Sequence, residues 1–166
     1  MIFVTVGTQL PFDRLVAGVD AWCAQSGRGA EVFGQLGEIA QDGTRPAHFD
    51  WSPTLAPEAF DARMRGAELI ISHAGMGTII GALSLGTPIV LLARRAHLGE
   101  QRNDHQQATV DHFGTRAGIF VAQDDAALPS VIDTALSYGH ARDSESGISR
   151  YADDSLIAAL RAVIDP

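Results

Sequence analysis

Three short stretches of this chain carry residue types whose spacing suits ligand binding. The first is Ser72-His-Ala-Gly-Met-Gly-Thr78. It joins an apolar run to a helix-prone one, so it reads as the turn from a strand into a helix. Gly75 and Gly77 admit backbone conformations closed to other residues and let a ligand approach the main chain. Amides at a helix start point outward, and the helix dipole favours an anion there. Thr78 adds a hydroxyl donor. The chemistry is phosphate or diphosphate binding, although the same glycines also fit an ordinary tight turn. His73, just past the strand end, is placed to donate to a phosphate oxygen or to stabilise a departing diphosphate. A lone histidine there more often serves structure alone.

The second stretch is Arg94-Arg-Ala-His-Leu-Gly-Glu-Gln-Arg-Asn-Asp-His-Gln-Gln107. Asn103, Asp104, His105, Gln106 and Gln107 make it dense in hydrogen-bonding side chains, and Glu100 joins them as a candidate contact. Sugar hydroxyls need both donors and acceptors, which such residues supply. A capped, solvated helix start is the plainer reading. Arg94 and Arg95 suit a phosphate or a carboxylate, or water. The third stretch, Gly7-Thr8-Gln9, repeats the order of strand, glycine and helix start.

Other chemistries lack their residues. There is no cysteine pair, no His-Glu-x-x-His, no Gly-x-Ser-x-Gly and no G-x-x-x-x-G-K-[ST], so neither a zinc site, a serine elbow nor a P-loop is supported. No metal and no cofactor is expected. The formal net charge of −8 argues against nucleic acid, whose partners carry a basic surplus. Arg94, Arg95 and Arg102 are the nearest thing to a basic stripe. Cys23 is the one cysteine and reads as a small buried hydrophobe on a helix. No run reaches ~18 apolar residues, so no membrane span is expected. Met1-Ile-Phe-Val-Thr-Val6 reads as a buried first strand rather than a leader. A soluble cytoplasmic chain is expected, meeting a membrane only through a partner.

The elements that position these stretches follow from punctuation and periodicity. Strands are expected at 2–6, 31–33, 48–51, 68–72, 87–92 and 118–122. Helices are expected at 12–26, 57–65, 78–85, 103–113, 125–138 and 151–164. Residues 93–102 read as a polar loop and 139–149 as a mobile connection. With 46% hydrophobic residues in 166, one domain over 1–166 is expected. Strands that alternate with helices and are apolar on both faces belong in a parallel sheet. Ligands bind beyond the carboxyl ends of such strands, where 7–11, 73–77 and 93–106 fall.

His73-Ala-Gly-Met-Gly-Thr78, Leu83-Ser-Leu-Gly-Thr-Pro88 and Asn103-Asp-His-Gln106, with the opening Val4 to Leu15, together resemble the C-terminal, donor-binding domain of family 28 GT-B glycosyltransferases. The Alg13 and PssE type is the nearest in pattern. The resemblance covers roughly residues 1–122. It implies a Rossmann-like α/β fold, one half of a GT-B enzyme, and a UDP-sugar ligand. Residues matching His73, Gly75, Gly77 and Thr78 would hold the diphosphate. Those matching Asn103, Asp104, His105 and Gln106 would face the sugar. Gly7 and Thr8 would line the opposite wall. It also implies a metal-independent, inverting transfer in bacterial exopolysaccharide or surface polysaccharide synthesis. The acceptor would be linked to a polyprenyl diphosphate and held, with the catalytic base, by a membrane-associated subunit resembling Alg14 or PssD. One departure is Gly81, where many such domains carry a glutamate that holds the ribose. From the residues alone, two other readings stand: an NADP-binding domain, with Arg94 and Arg95 on a 2′-phosphate, and a non-catalytic regulatory module.

Overall fold

The computed structural model describes residues 1–7, 10–39, 42–103 and 105–139. Six strands are present there: β1 (Ile2–Thr5), β2 (Val32–Gln35), β3 (Asp50–Ser52), β4 (Leu69–His73), β5 (Ile89–Leu92) and β6 (Ile119–Ala122). Five helices accompany them: α1 (Asp13–Ser26), α2 (Pro57–Gly66), α3 (Met76–Leu85), α4 (His105–Phe113) and α5 (Leu128–Gly139). The strands form one sheet in the order β3-β2-β1-β4-β5-β6, and every pairing is parallel. This is the Rossmann-like α/β architecture expected.

The central strands are Val/Ile/Leu-rich because both faces are covered. Ile2, Val4, Ile71, Val90 and Leu92 meet Leu15, Val19 and Trp22 of α1 and Leu128 and Ile132 of α5 on one face. Phe3, Ile70, Ile89 and Leu91 meet Met64, Ile79, Leu83 and Val110 on the other. Burying each such side chain stabilises the fold by about 1.5–3 kcal/mol. Cys23 lies in the first of these cores, as expected, and burial followed by the charge of Asp20 pushes its thiol up to about 11.

Element boundaries depart from expectation where capping decides them. α3 starts at Met76 rather than Thr78, because Gly75 adopts the extended N-cap conformation (φ −88°, ψ 128°). α5 starts at Leu128 rather than Asp125, since the Asp124 carboxylate first accepts the Ala127 N–H at 2.9 Å. The expected loop at 93–102 contains a 3-10 turn, Ala96–Leu98. Another such turn, Gly29–Glu31, delays β2 to Val32. The expected connection at 139–149 and helix at 151–164 lie outside the described residues beyond Gly139. Among the described residues no helix is long and apolar enough to cross a membrane.

The strand order locates the site. β1 sits mid-sheet, and the chain builds outward from it to β3 on one side and, after crossing over, to β6 on the other. The crevice beyond the carboxyl ends of β1 and β4 is the topological switch point, where such sheets bind ligands. Thr5 and Ser72 are register partners there and both are buried.

Candidate functional site

A cavity of about 400 Å³ opens at this switch point. The turn from β4 to α3 forms one wall, with His73, Gly75, Gly77 and Thr78; Gly7 stands beside it, and Gln106 and His105 face it from the start of α4. All three stretches singled out in the sequence therefore meet. Asn103 lines an adjoining pocket of about 520 Å³ that shares Leu10, Gln101 and His105 with the first. Thr8, Gln9 and Asp104 lie outside the described residues.

The β4–α3 wall is made largely of main chain. α3 has no side-chain cap, so the amides of Met76, Gly77 and Thr78 have no intrahelical acceptors and are open to an anion. His73 is wedged between two glycines. A Cβ on Gly7 would lie 2.8 Å from the His73 Cε1, and a Cβ on Gly75 would overlap the Nε2 side of the ring. Gly7 also has φ +80°, a conformation only glycine adopts without strain. The ring's Nδ1 sits 3.2 Å from Ser72 Oγ. Burial, and then the charge of Arg94, push the imidazole down to about 4, against an opposing hydrogen bond to the Thr5 backbone. His73 is thus neutral at pH 7, and it meets a ligand as a hydrogen-bonding group rather than as a cation.

The opposite wall is held by side chains. Arg94 is 3% exposed. Its Nη1 donates to the carbonyls of Pro11 (2.6 Å) and Glu100 (3.1 Å), and its Nη2 to those of Val6 (2.8 Å) and Leu10 (2.7 Å). Its guanidinium lies over the Phe12 ring, 4.5 Å from the centroid. Burial pushes it down to about 10, opposed by the charge of Glu100, so it stays charged at pH 7. Gln106 is buried, and its Oε1 accepts the Arg94 N–H at 3.1 Å. That bond leaves the Gln106 Nε2 hydrogens as donors for the cavity side.

Glu100 has a different place from the one its sequence position implied. It does not line the cavity. Its Oε1 accepts Arg14 Nε at 2.8 Å, and its Oε2 accepts Arg14 Nη2 at 2.8 Å and the Arg95 N–H at 2.9 Å. Burial raises its carboxyl, but these hydrogen bonds and the charges of Arg14 and Arg94 outweigh it, leaving it below the ordinary value. Arg14 also donates to the Ala93 carbonyl at 2.8 Å. Glu100 is therefore a tie between α1 and the loop after β5. Arg95 donates to the Gln123 carbonyl at 2.7 Å. Both arginines of the NADP 2′-phosphate reading thus donate to main-chain carbonyls.

Leu10, Met76 and Gln101, which lie within the candidate stretches but were given no role of their own, line the cavity with Thr109, and Arg14 braces its far wall. Leu10 and Met76 carried a signal in being apolar beside a glycine turn; Arg14 carried none, its partner lying 86 positions away. Gly81 packs beside the Met64 Cε on the side of α3 that faces α2 and lines a separate pocket of about 260 Å³. Among the described residues no group of three His, Cys, Asp or Glu side chains converges to hold a metal ion.

A family model described as the glycosyltransferase family 28 C-terminal domain matches residues 1–149. Among solved structures, the glycotransferase of kitacinnamycin shares 16% identity over 85% of this chain and 35% of its own, with a TM-score of 0.57. CalG4, the calicheamicin glycosyltransferase, shares 16% over 99% of this chain and 44% of its own, with a TM-score of 0.52. The NMR solution structure of ALG13 shares 18% over 96% of this chain and 94% of its own, with a TM-score of 0.50. The chain thus spans less than half of the first two proteins and nearly all of the third. At these identities the likeness is one of fold. No curated protein matches the chain.

Proposed function

The chain belongs to the glycosyltransferase family 28 C-terminal domain family, and from that premise we propose that it is the UDP-sugar-binding subunit of a metal-independent, inverting glycosyltransferase. The observation that carries this reading is the cavity at the β1/β4 switch point, with an uncapped helix start on one wall and amide and imidazole side chains on the other. The open amides of α3, the Thr78 hydroxyl and neutral His73 hold the diphosphate. Gln106, Asn103 and His105 face the sugar, and Gly7 lines the wall across from them.

In the proposed reaction an acceptor hydroxyl attacks the anomeric carbon from the face opposite UDP. The new C–O bond forms as the bond to the β-phosphate oxygen breaks. The proton passes to a base on a partner subunit, and the negative charge stays on UDP. Preorganised amides and a helix N-terminus stabilise such a leaving group without reorganisation. The acceptor is linked to a polyprenyl diphosphate. A membrane-associated Alg14- or PssD-like subunit holds it and places this chain at the cytoplasmic face of the membrane. The pathway is bacterial exopolysaccharide or surface polysaccharide synthesis.

A thermal-shift panel of UDP, UDP-sugars and NADPH tests the reading, with the chain alone and with its partner. UDP and at least one UDP-sugar should raise the melting temperature while NADPH does not. No shift with any UDP-sugar, even in the complex, would sink the proposal. Sugar transfer that survived both His73→Ala and Gln106→Ala would instead favour a non-catalytic module.

A further inference from the structure

We propose that Arg94 sets the preference of this site for a diphosphate over a monophosphate, as a buried cation that ties the loop after β5 to the β1–α1 segment and leaves its charge facing the phosphates. The inference rests on the donor-site reading above and adds to it a residue that acts through field and positioning.

The bonding of Arg94 is unusual for a buried charge. Buried cations are ordinarily paired with an anion. Here the four bonds from Nη1 and Nη2 go to the main-chain carbonyls of Val6, Leu10, Pro11 and Glu100. These carbonyls satisfy the hydrogens but carry no formal charge. Among the described residues Glu100 is the one carboxylate whose charge bears on it, and both Glu100 oxygens are already bonded, to Arg14 and to the Arg95 N–H. The Arg14–Glu100 pair is neutral as a unit. Among the described residues Arg94 is left as a cation without a bonded anion, in a chain of net charge −8.

Its position gives that charge a use. Arg94 lines the same cavity as His73, Gly75 and Thr78, so an anion held on the α3 amides enters its field at reduced solvent screening. The same four bonds span from the β1–α1 segment (Val6, Leu10, Pro11) to the loop after β5 (Glu100). One side chain therefore fixes the β1–α1 segment against the loop after β5 and supplies positive potential inside the cavity. Each added phosphate charge gains from this field, whereas an uncharged nucleoside does not.

The experiment measures UDP, UMP and uridine affinities by calorimetry on the full chain, for wild type, Arg94→Met and Arg94→Lys. Wild type should prefer UDP to UMP by about tenfold or more. Arg94→Met should close that gap to within about twofold and leave uridine nearly unchanged, and Arg94→Lys should keep most of the gap. Weakening of all three ligands by one common factor would show a role in shape alone and overturn the proposal. If Arg94→Met does not fold, the guanidinium resonances of Arg94 in wild type decide instead: they should move with UDP and stay still with uridine, and stillness with both overturns the proposal. A wild-type chain that binds none of the three ligands removes the donor-site reading, and this inference with it.

Discussion

The two walls of the cavity are built on opposite plans. The β4–α3 turn does its work with main chain: glycines, an uncapped helix start and one uncharged ring. The loop after β5 has a single 3-10 turn and is held by side chains that reach distant backbone, Arg94 to the β1–α1 segment and Glu100 to Arg14. A turn of two residues, Ala74 and Gly75, between a strand and a helix is positioned by those elements. A longer wall with little regular structure needs cross-links to reach one geometry. The first wall should therefore break through sterics and the second through electrostatics.

The largest effects should come from the steric side. Gly75→Ala puts a methyl group into the His73 ring and is expected to abolish measurable UDP binding by calorimetry. Gly7→Ala should do the same and also cost about 3 kcal/mol in denaturant unfolding, since overlap and a positive φ act together. Retained UDP binding by either variant would contradict the wedge.

On the electrostatic side, Glu100→Ala leaves Arg14 partly buried with only the exposed Asp125 carboxylate, 3.8 Å away. It should destabilise the chain by about 3 kcal/mol, read as a fall in the unfolding midpoint. The Arg14→Met/Glu100→Ala double variant should cost less than the sum of the two single variants, as expected for residues in direct contact. Additive costs would mean that the pair is not coupled.

A smaller effect appears with pH. The folded-state value of His73, about 4, lies below its ordinary value of 6.5, so the unfolded chain binds more protons between these limits. The stability from keeping the ring neutral is complete above about pH 6.5 and is lost as pH falls toward 4. Between pH 6.5 and 5 the loss is at most about 2 kcal/mol. Comparing melting temperatures of wild type and His73→Gln over that range should show a shallower slope in the variant, and equal slopes would remove His73 as the cause. The smallest effect should be Gly81→Ala. The new Cβ meets only the flexible end of Met64, at 3.1 Å, and the gain in helix propensity is about 0.5–1 kcal/mol. A clear fall in melting temperature would show that this glycine is as constrained as Gly75.

The same contrast explains what could be read before the fold was known. The sheet, the helix order and the meeting of 7–11, 73–77 and 93–106 at one edge follow from apolar runs and glycine punctuation, which are local signals. The β4–α3 turn was legible because its chemistry belongs to its own backbone. The loop after β5 was legible only as polar. Spacing does not tell a carboxylate aimed at a ligand from one that binds an arginine 86 positions earlier, so Glu100 reads as a sugar contact and is found as a brace. Arg94 reads as suited to a phosphate, a carboxylate or water and is found buried, because the four carbonyls that accept from it come together only after β1 and β5 share a sheet.

The wedging of His73 between Gly7 and Gly75 also bears on how these positions can change over generations. A side chain at either glycine is excluded while the imidazole stands between them, and a smaller residue at 73 would lift the exclusion at Gly75 and leave at Gly7 the strain of its positive φ. Substitutions here are therefore order-dependent. Position 73 must give way first, and once a methyl group has filled either flank, the route back to histidine is closed. Three residues spread over 69 positions of sequence behave as one inherited character.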